Sequence, residues 1–65
     1  MELTVLCFAQ NGGRNVALLI RHDDGSFITV RNLTQVNDMY HWVWGNYYLE
    51  LKDALKNYNK RMYEL

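Results

Sequence analysis

Proline is absent from this 65-residue chain, and cysteine occurs once, as Cys7. The lone thiol excludes an intramolecular disulfide and points to a reducing compartment, because small secreted domains are normally stapled by several such bonds. A closed structural zinc site asks for about four Cys or His ligands, and only Cys7, His22 and His41 are on offer. No metal or other cofactor is therefore expected. Charge of one sign is lacking as well. Seven Lys and Arg balance seven Asp and Glu, so overall electrostatics favours neither a nucleic-acid binder nor an acidic mimic of DNA. No apolar run approaches the ~20 residues that cross a bilayer. The apolar stretch from Leu3 to Ala9 follows Glu2, where a secretory leader would carry positive charge, and no small-residue cleavage site comes after it. A cytoplasmic protein that does not engage membranes is expected.

What remains is enough for a single domain spanning residues 1–65, without linker, repeat or low-complexity tract. A chain this short buries only roughly 60% of the surface its unfolded form exposes. With disulfides and metals set aside, packing and self-association are its remaining supports.

The first half reads as strands. Leu3 to Ala9 is rich in β-formers, with Leu3, Val5, Cys7 and Ala9 on one face and Thr4, Leu6 and Phe8 on the other. Gln10-Asn11-Gly12-Gly13 supplies the positive-φ residues of a reversal. Asn15 to His22 is a second strand, with Val16, Leu18 and Ile20 opposing Ala17, Leu19 and Arg21. Asp23-Asp24-Gly25-Ser26 marks a hairpin turn, and Phe27 to Arg31 returns as a third strand. Residues 32–38 read as a loop. Tyr40 to Trp44 alternates with three aromatics on one face, which fits a fourth strand ended by Gly45-Asn46. From Leu49 onward the period changes, and Leu51, Ala54, Leu55, Tyr58 and Met62 form the apolar stripe of an amphipathic helix of about four turns. The expected architecture is α+β: an antiparallel sheet of three to four strands with one C-terminal helix packed on one face. The early strands are apolar on both faces, so a second copy of the chain or a partner protein is expected to cover the other one.

Residues that could carry chemistry are few. His22, Asp23, Asp24 and His41 are the nearest approach to a metal or acid/base group. The two aspartates, however, occupy a turn before Gly25, where Asp is favoured for its local hydrogen bonds. Gly12-Gly13-Arg14 precedes a strand rather than a helix, unlike a Rossmann or P-loop turn, which leaves Arg14 as a contact for an anion in a small nest. Cys7 lies inside an apolar strand with no base beside it in sequence. The most informative group is aromatic: Tyr40, Trp42, Trp44, Tyr47 and Tyr48. One use of it is core, with Trp42 and Trp44 under the helix against Leu55 and Tyr58. Another is a binding face, since Tyr, Trp and Arg dominate interface hot spots and aromatic shelves stack bases. Lys52, Lys56 and Lys60 recur every fourth residue as a basic stripe, the usual pattern of a solvated helix face.

The run Trp42-Val43-Trp44-Gly45-Asn46-Tyr47-Tyr48, followed by Leu51, Ala54, Tyr58 and Arg61, resembles a pattern of small proteins from bacteriophages and mobile elements of Gram-positive bacteria. The resemblance covers about the C-terminal third of the chain, and Glu50 departs from it where a capping Asp or Ser would stand before the helix. It implies a phage-encoded accessory protein, a class that includes anti-CRISPR and other anti-defence inhibitors. The leading expectation is therefore a non-catalytic, stoichiometric inhibitor of a host protein. An alternative is an oligomer, dimeric or larger, that sequesters a nucleotide signal between Arg14 or Arg21 and an aromatic shelf. A third is a small nucleic-acid-binding regulator using the lysine stripe, which the balanced charge makes the less favoured.

Overall fold

The computed structural model describes residues 2–65. Their order is β1 (Leu3–Asn11), β2 (Arg14–Arg21), β3 (Phe27–Arg31), β4 (Thr34–Val36), β5 (Met39–His41), β6 (Trp44–Tyr48) and α1 (Leu51–Tyr63). Strands β1, β2, β3 and β6 form one antiparallel sheet in that spatial order, and β4 pairs with β5 as a separate hairpin. The α+β class and the C-terminal helix against the sheet are as the sequence predicts.

Two of the turns follow from their residues. Asn11 pairs with Arg14 around Gly12-Gly13, and Gly12 takes a φ of 64° that side chains other than Asn and Asp rarely tolerate. At the second turn the Arg21 N–H donates to the Ser26 carbonyl at 2.8 Å, and the Gly25 N–H returns a bond to the Arg21 carbonyl at 2.8 Å. The Asp24 carboxylate accepts from the Ser26 N–H at 3.0 Å and from the Ser26 hydroxyl at 2.7 Å. These bonds, the backbone one foremost, hold the Asp24 carboxyl below its ordinary 3.8.

Helix α1 buries the predicted stripe. Ala54 and Tyr58 are enclosed against Val16 and Leu18, with Cys7, Ala9, Phe27, Tyr48, Leu55 and Met62 packed around them. Leu51 alone of the stripe is exposed, at 42%. Glu50 is the N-cap residue and makes no side-chain capping bond, so the first turn lacks the usual Ser or Asp support. Thr29, buried in the sheet, donates its hydroxyl to the Asn57 side-chain carbonyl and ties the helix to β3. The buried Tyr58 hydroxyl is raised above its ordinary 10.0 by desolvation, with the Cys7 thiol adding to the effect.

Three expectations are corrected. First, β1 does not keep one alternation. The register shifts between Val5 and Cys7, so Leu3 and Val5 face Leu19 and its neighbours while Cys7 and Ala9 turn to the helix side. Leu6 is the extra residue of this bulge and is left exposed. Second, the fourth strand of the sheet is Trp44–Tyr48 rather than Tyr40–Trp44, and Gly45 and Asn46 lie inside it. Gly45 is there because Trp42 lies against it: a Cβ built on Gly45 would stand 3.1 Å from Trp42 Nε1 and 3.4 Å from Ile28 Cγ2. Third, residues 32–38 are not a plain loop. They hold β4 and a two-residue turn in which Asn37 and Asp38 both have positive φ, 51° and 66°, as a type I′ hairpin requires.

That hairpin also answers the question of the second face. Ala17, Leu19, Ile28 and Val30 are buried there, and Leu3, Val5, Leu33, Tyr40 and Trp42 pack over them. The cover comes from the chain itself, so the two-faced apolar strands do not require a second copy. The side chain of Asn15 braces the start of the excursion. Its Oδ1 accepts from the Leu33 N–H at 2.8 Å, and its Nδ2 donates to the Leu33 carbonyl at 3.1 Å.

Candidate functional site

The aromatic group that is continuous in sequence is divided by the fold. Tyr40 and Trp42 pack on the hairpin side of the sheet, so Trp42 is not under the helix with Leu55 and Tyr58. Trp44 does face the helix side, but against arginine rather than against the apolar stripe. The Arg61 guanidinium stands 3.8 Å from its ring and that of Arg31 5.4 Å. Tyr48 joins the helix-side cluster, and its hydroxyl accepts from Asn46 Nδ2 at 3.3 Å. Tyr47 points the other way, 59% exposed, with Arg21 5.9 Å from its ring. A single aromatic shelf does not exist. Tyr47 with Arg21, Trp44 with Arg31 and Arg61, and Tyr40 with Trp42 are three separate places.

The hairpin carries the first candidate surface. Cross-strand pairing sets Gln35 opposite Tyr40 and Val36 opposite Met39. Neighbouring pairs on a strand face opposite ways, so with Tyr40 turned to the core the Val36–Met39 pair is turned outward. They are 55% and 63% exposed. Beside them Glu2, Leu3, Asp38, Met39, Tyr40 and Trp42 surround an open hollow. Phe8 on edge strand β1 and Tyr47 on edge strand β6 are further large side chains on this side of the sheet, 51% and 59% exposed.

The second candidate is the corner where α1 ends over the sheet. Val16 pairs with Arg31, and Arg31 pairs with Trp44, so these three form a row across β2, β3 and β6. Arg14, Arg31 and Arg61 line a cleft there with Asn15, Asn32 and Glu64. Arg31 Nη2 is 3.7 Å from the Glu64 carboxylate. The Nε of Arg61 is buried without a hydrogen-bond partner among the described residues.

The other sequence candidates have local roles. Arg21 lies 3.9 Å from Asp24 and is separated from Arg14 by the length of β2. His22 Nε2 shares a hydrogen bond with the Thr4 hydroxyl at 2.7 Å. Lys52, Lys56 and Lys60 are exposed, with Lys52 3.7 Å from Glu50 and the other two beside Tyr48, Asp53 and Asn57 around a shallow hollow. Among the described residues no group of three or more His, Cys, Asp and Glu is placed to hold a metal ion, and no helix is long and apolar enough to cross a membrane. Sequence reasoning missed Arg31 and Arg61 as partners of Arg14. The signal for Arg31 was its place at the end of a strand, one residue from the buried Val30.

A scan against protein-family models and searches of curated proteins and of solved structures find no match to this chain.

Proposed function

We propose that this chain is a binding protein that inhibits a larger protein by occupying one of its surfaces stoichiometrically, in the manner of an anti-defence protein acting in the cytoplasm of a bacterial host. The observation that supports this reading is the outward Val36–Met39 pair. Both sheet faces are already closed without these two side chains, so folding does not account for their exposure. Methionine and aromatic side chains are enriched at protein interfaces, and here Met39 stands beside Tyr40 and Trp42 around one hollow. The inhibitor has no chemical step. Its effect is exclusion of whatever the target surface normally engages, and its strength depends on how well that hollow is filled.

The test is affinity capture from lysate of a bacterial host, with wild type beside a Val36→Asp/Met39→Asp variant whose circular dichroism matches it. The expected result is one host protein retained at a 1:1 ratio by wild type and lost with the variant. Nothing above background with wild type, or equal retention by both, refutes the proposal.

A further inference from the structure

We propose that the corner formed by Arg14, Arg31 and Arg61 is a binding site for a phosphoryl oxyanion, whether free phosphate or the phosphate of a small nucleotide. The site is independent of the hairpin surface and lies on the helix side of the sheet. Its chemistry begins with charge. Three arginine residues line one cleft of about 120 Å³ in a chain whose net charge is zero. Against them stand the carboxylate of Glu64, the terminal carboxyl of Leu65, which also lines the cleft, and the carbonyl end of α1, the last equivalent to roughly half a negative charge. A cationic excess of roughly half a charge survives all three, and arginine does not shed its proton to relieve it.

Geometry adds to charge. The Arg61 guanidinium carbon stands over the Trp44 ring, 3.8 Å from its centre, within cation–π contact. Its Nε, like that of Arg21 on the other side of the sheet, is buried with no hydrogen-bond partner among the described residues. Arg31 is held between Trp44 and Glu64. Arg14, at the first position of β2, is exposed and has no carboxylate within ion-pair distance among the described residues. Two arginines are thus preorganised and a third is free to close on a ligand. Forked N–H donors of this kind suit phosphate, which accepts several charge-assisted hydrogen bonds at once. Arg61 covers the Trp44 ring, so the corner recognises the anionic group rather than a stacked base.

Titration calorimetry and thermal shift in low-salt, sulfate-free buffer test the site, with inorganic phosphate, pyrophosphate and ADP as probes. Saturable binding is expected, weakened roughly tenfold by Arg14→Gln, the scale of one lost charge-assisted hydrogen bond. Arg14→Gln should leave the ligand-free melting temperature unchanged, because Arg14 lies outside both buried clusters. Lys56→Gln, on the other cationic surface, should bind as wild type does. ADP binding more tightly than pyrophosphate, its match in phosphate number, assigns the site to nucleotides, and equal binding assigns it to the phosphate group alone. The proposal is overturned if no probe binds at millimolar concentration, or if Arg14→Gln binds as wild type. It is also overturned if Lys56→Gln weakens binding as much as Arg14→Gln, or if duplex DNA outcompetes every small probe.

Discussion

Gly45 offers the sharpest test of how the hairpin side of the molecule is closed. It sits inside β6 opposite Val30, and its φ is not in the left-handed region, so backbone freedom does not explain it. Contact does. An added Cβ would meet Trp42 Nε1 at 3.1 Å, while its distances to Ile28 Cγ2 and the Thr29 carbonyl, 3.4 and 3.5 Å, are ordinary. Displacing a packed side chain in this way costs about 1–3 kcal/mol. Replacing a strand glycine by alanine returns about 0.5–1 kcal/mol of chain entropy. Gly45→Ala should therefore destabilise wild type by about 1 kcal/mol, between limits of ~0 and ~2.5 kcal/mol. In a Trp42→Leu background the obstructing indole nitrogen is gone and the entropic gain remains, so the same substitution should stabilise by ~0.5–1 kcal/mol. The sign reverses. Urea denaturation followed by circular dichroism on the four proteins gives the coupling directly. If Gly45→Ala has the same effect in both backgrounds, within about 0.5 kcal/mol, Trp42 does not rest on Gly45 and the closure described above is wrong.

Asp24 should govern part of the acid limb of stability. Its carboxyl is depressed in the folded state, so its contribution is complete above the ordinary 3.8 and is lost as pH falls below that value. Asp24→Asn should accordingly flatten the fall of the urea midpoint between pH 4 and pH 2 relative to wild type, and identical slopes would refute the Ser26 contacts as its cause. Thr29→Val removes the hydroxyl donated to Asn57 and leaves that acceptor unmatched, for a loss of about 1–2 kcal/mol by chemical denaturation; a neutral or stabilising result would show that the bond contributes nothing. Because the chain covers both faces of its own sheet, light scattering should return the mass of one chain at micromolar concentration. A stable dimer would refute that expectation.

The elements that were legible in the sequence are those set by neighbours along the chain. Gly12-Gly13 and Asp24-Gly25 announce their turns, and the change to helical spacing after Leu49 announces α1 within two residues of its start. Other elements use less distinctive means. The Asn37-Asp38 turn takes two left-handed residues without a glycine, so β4 and β5 looked like loop. The phase of β1 was hidden because apolar residues on both faces give no alternation against which a bulge at Leu6 would show. Gly45 looked like a strand end because its reason for being glycine, Trp42, lies outside the strand.

The same distinction between local and long-range information explains the sites. Tyr40, Trp42, Trp44, Tyr47 and Tyr48 are close in sequence, yet alternation and the hairpin send them to opposite sides of the sheet. Arg14, Arg31 and Arg61 are far apart in sequence, yet strand pairing and the path of the helix bring them to one cleft. No window of the chain contains that cleft. It exists because Val16 is opposite Arg31, Arg31 is opposite Trp44, and α1 ends above that row. A shift of β3 by one residue against β2 would turn Arg31 to the hairpin side and leave Arg14 and Arg61 without it. The arginine corner therefore depends on the same register that buries Val16 and Leu18 under the helix and Ala17 and Leu19 under the hairpin. Its geometry is maintained by the two apolar clusters, although none of its charged groups belongs to either.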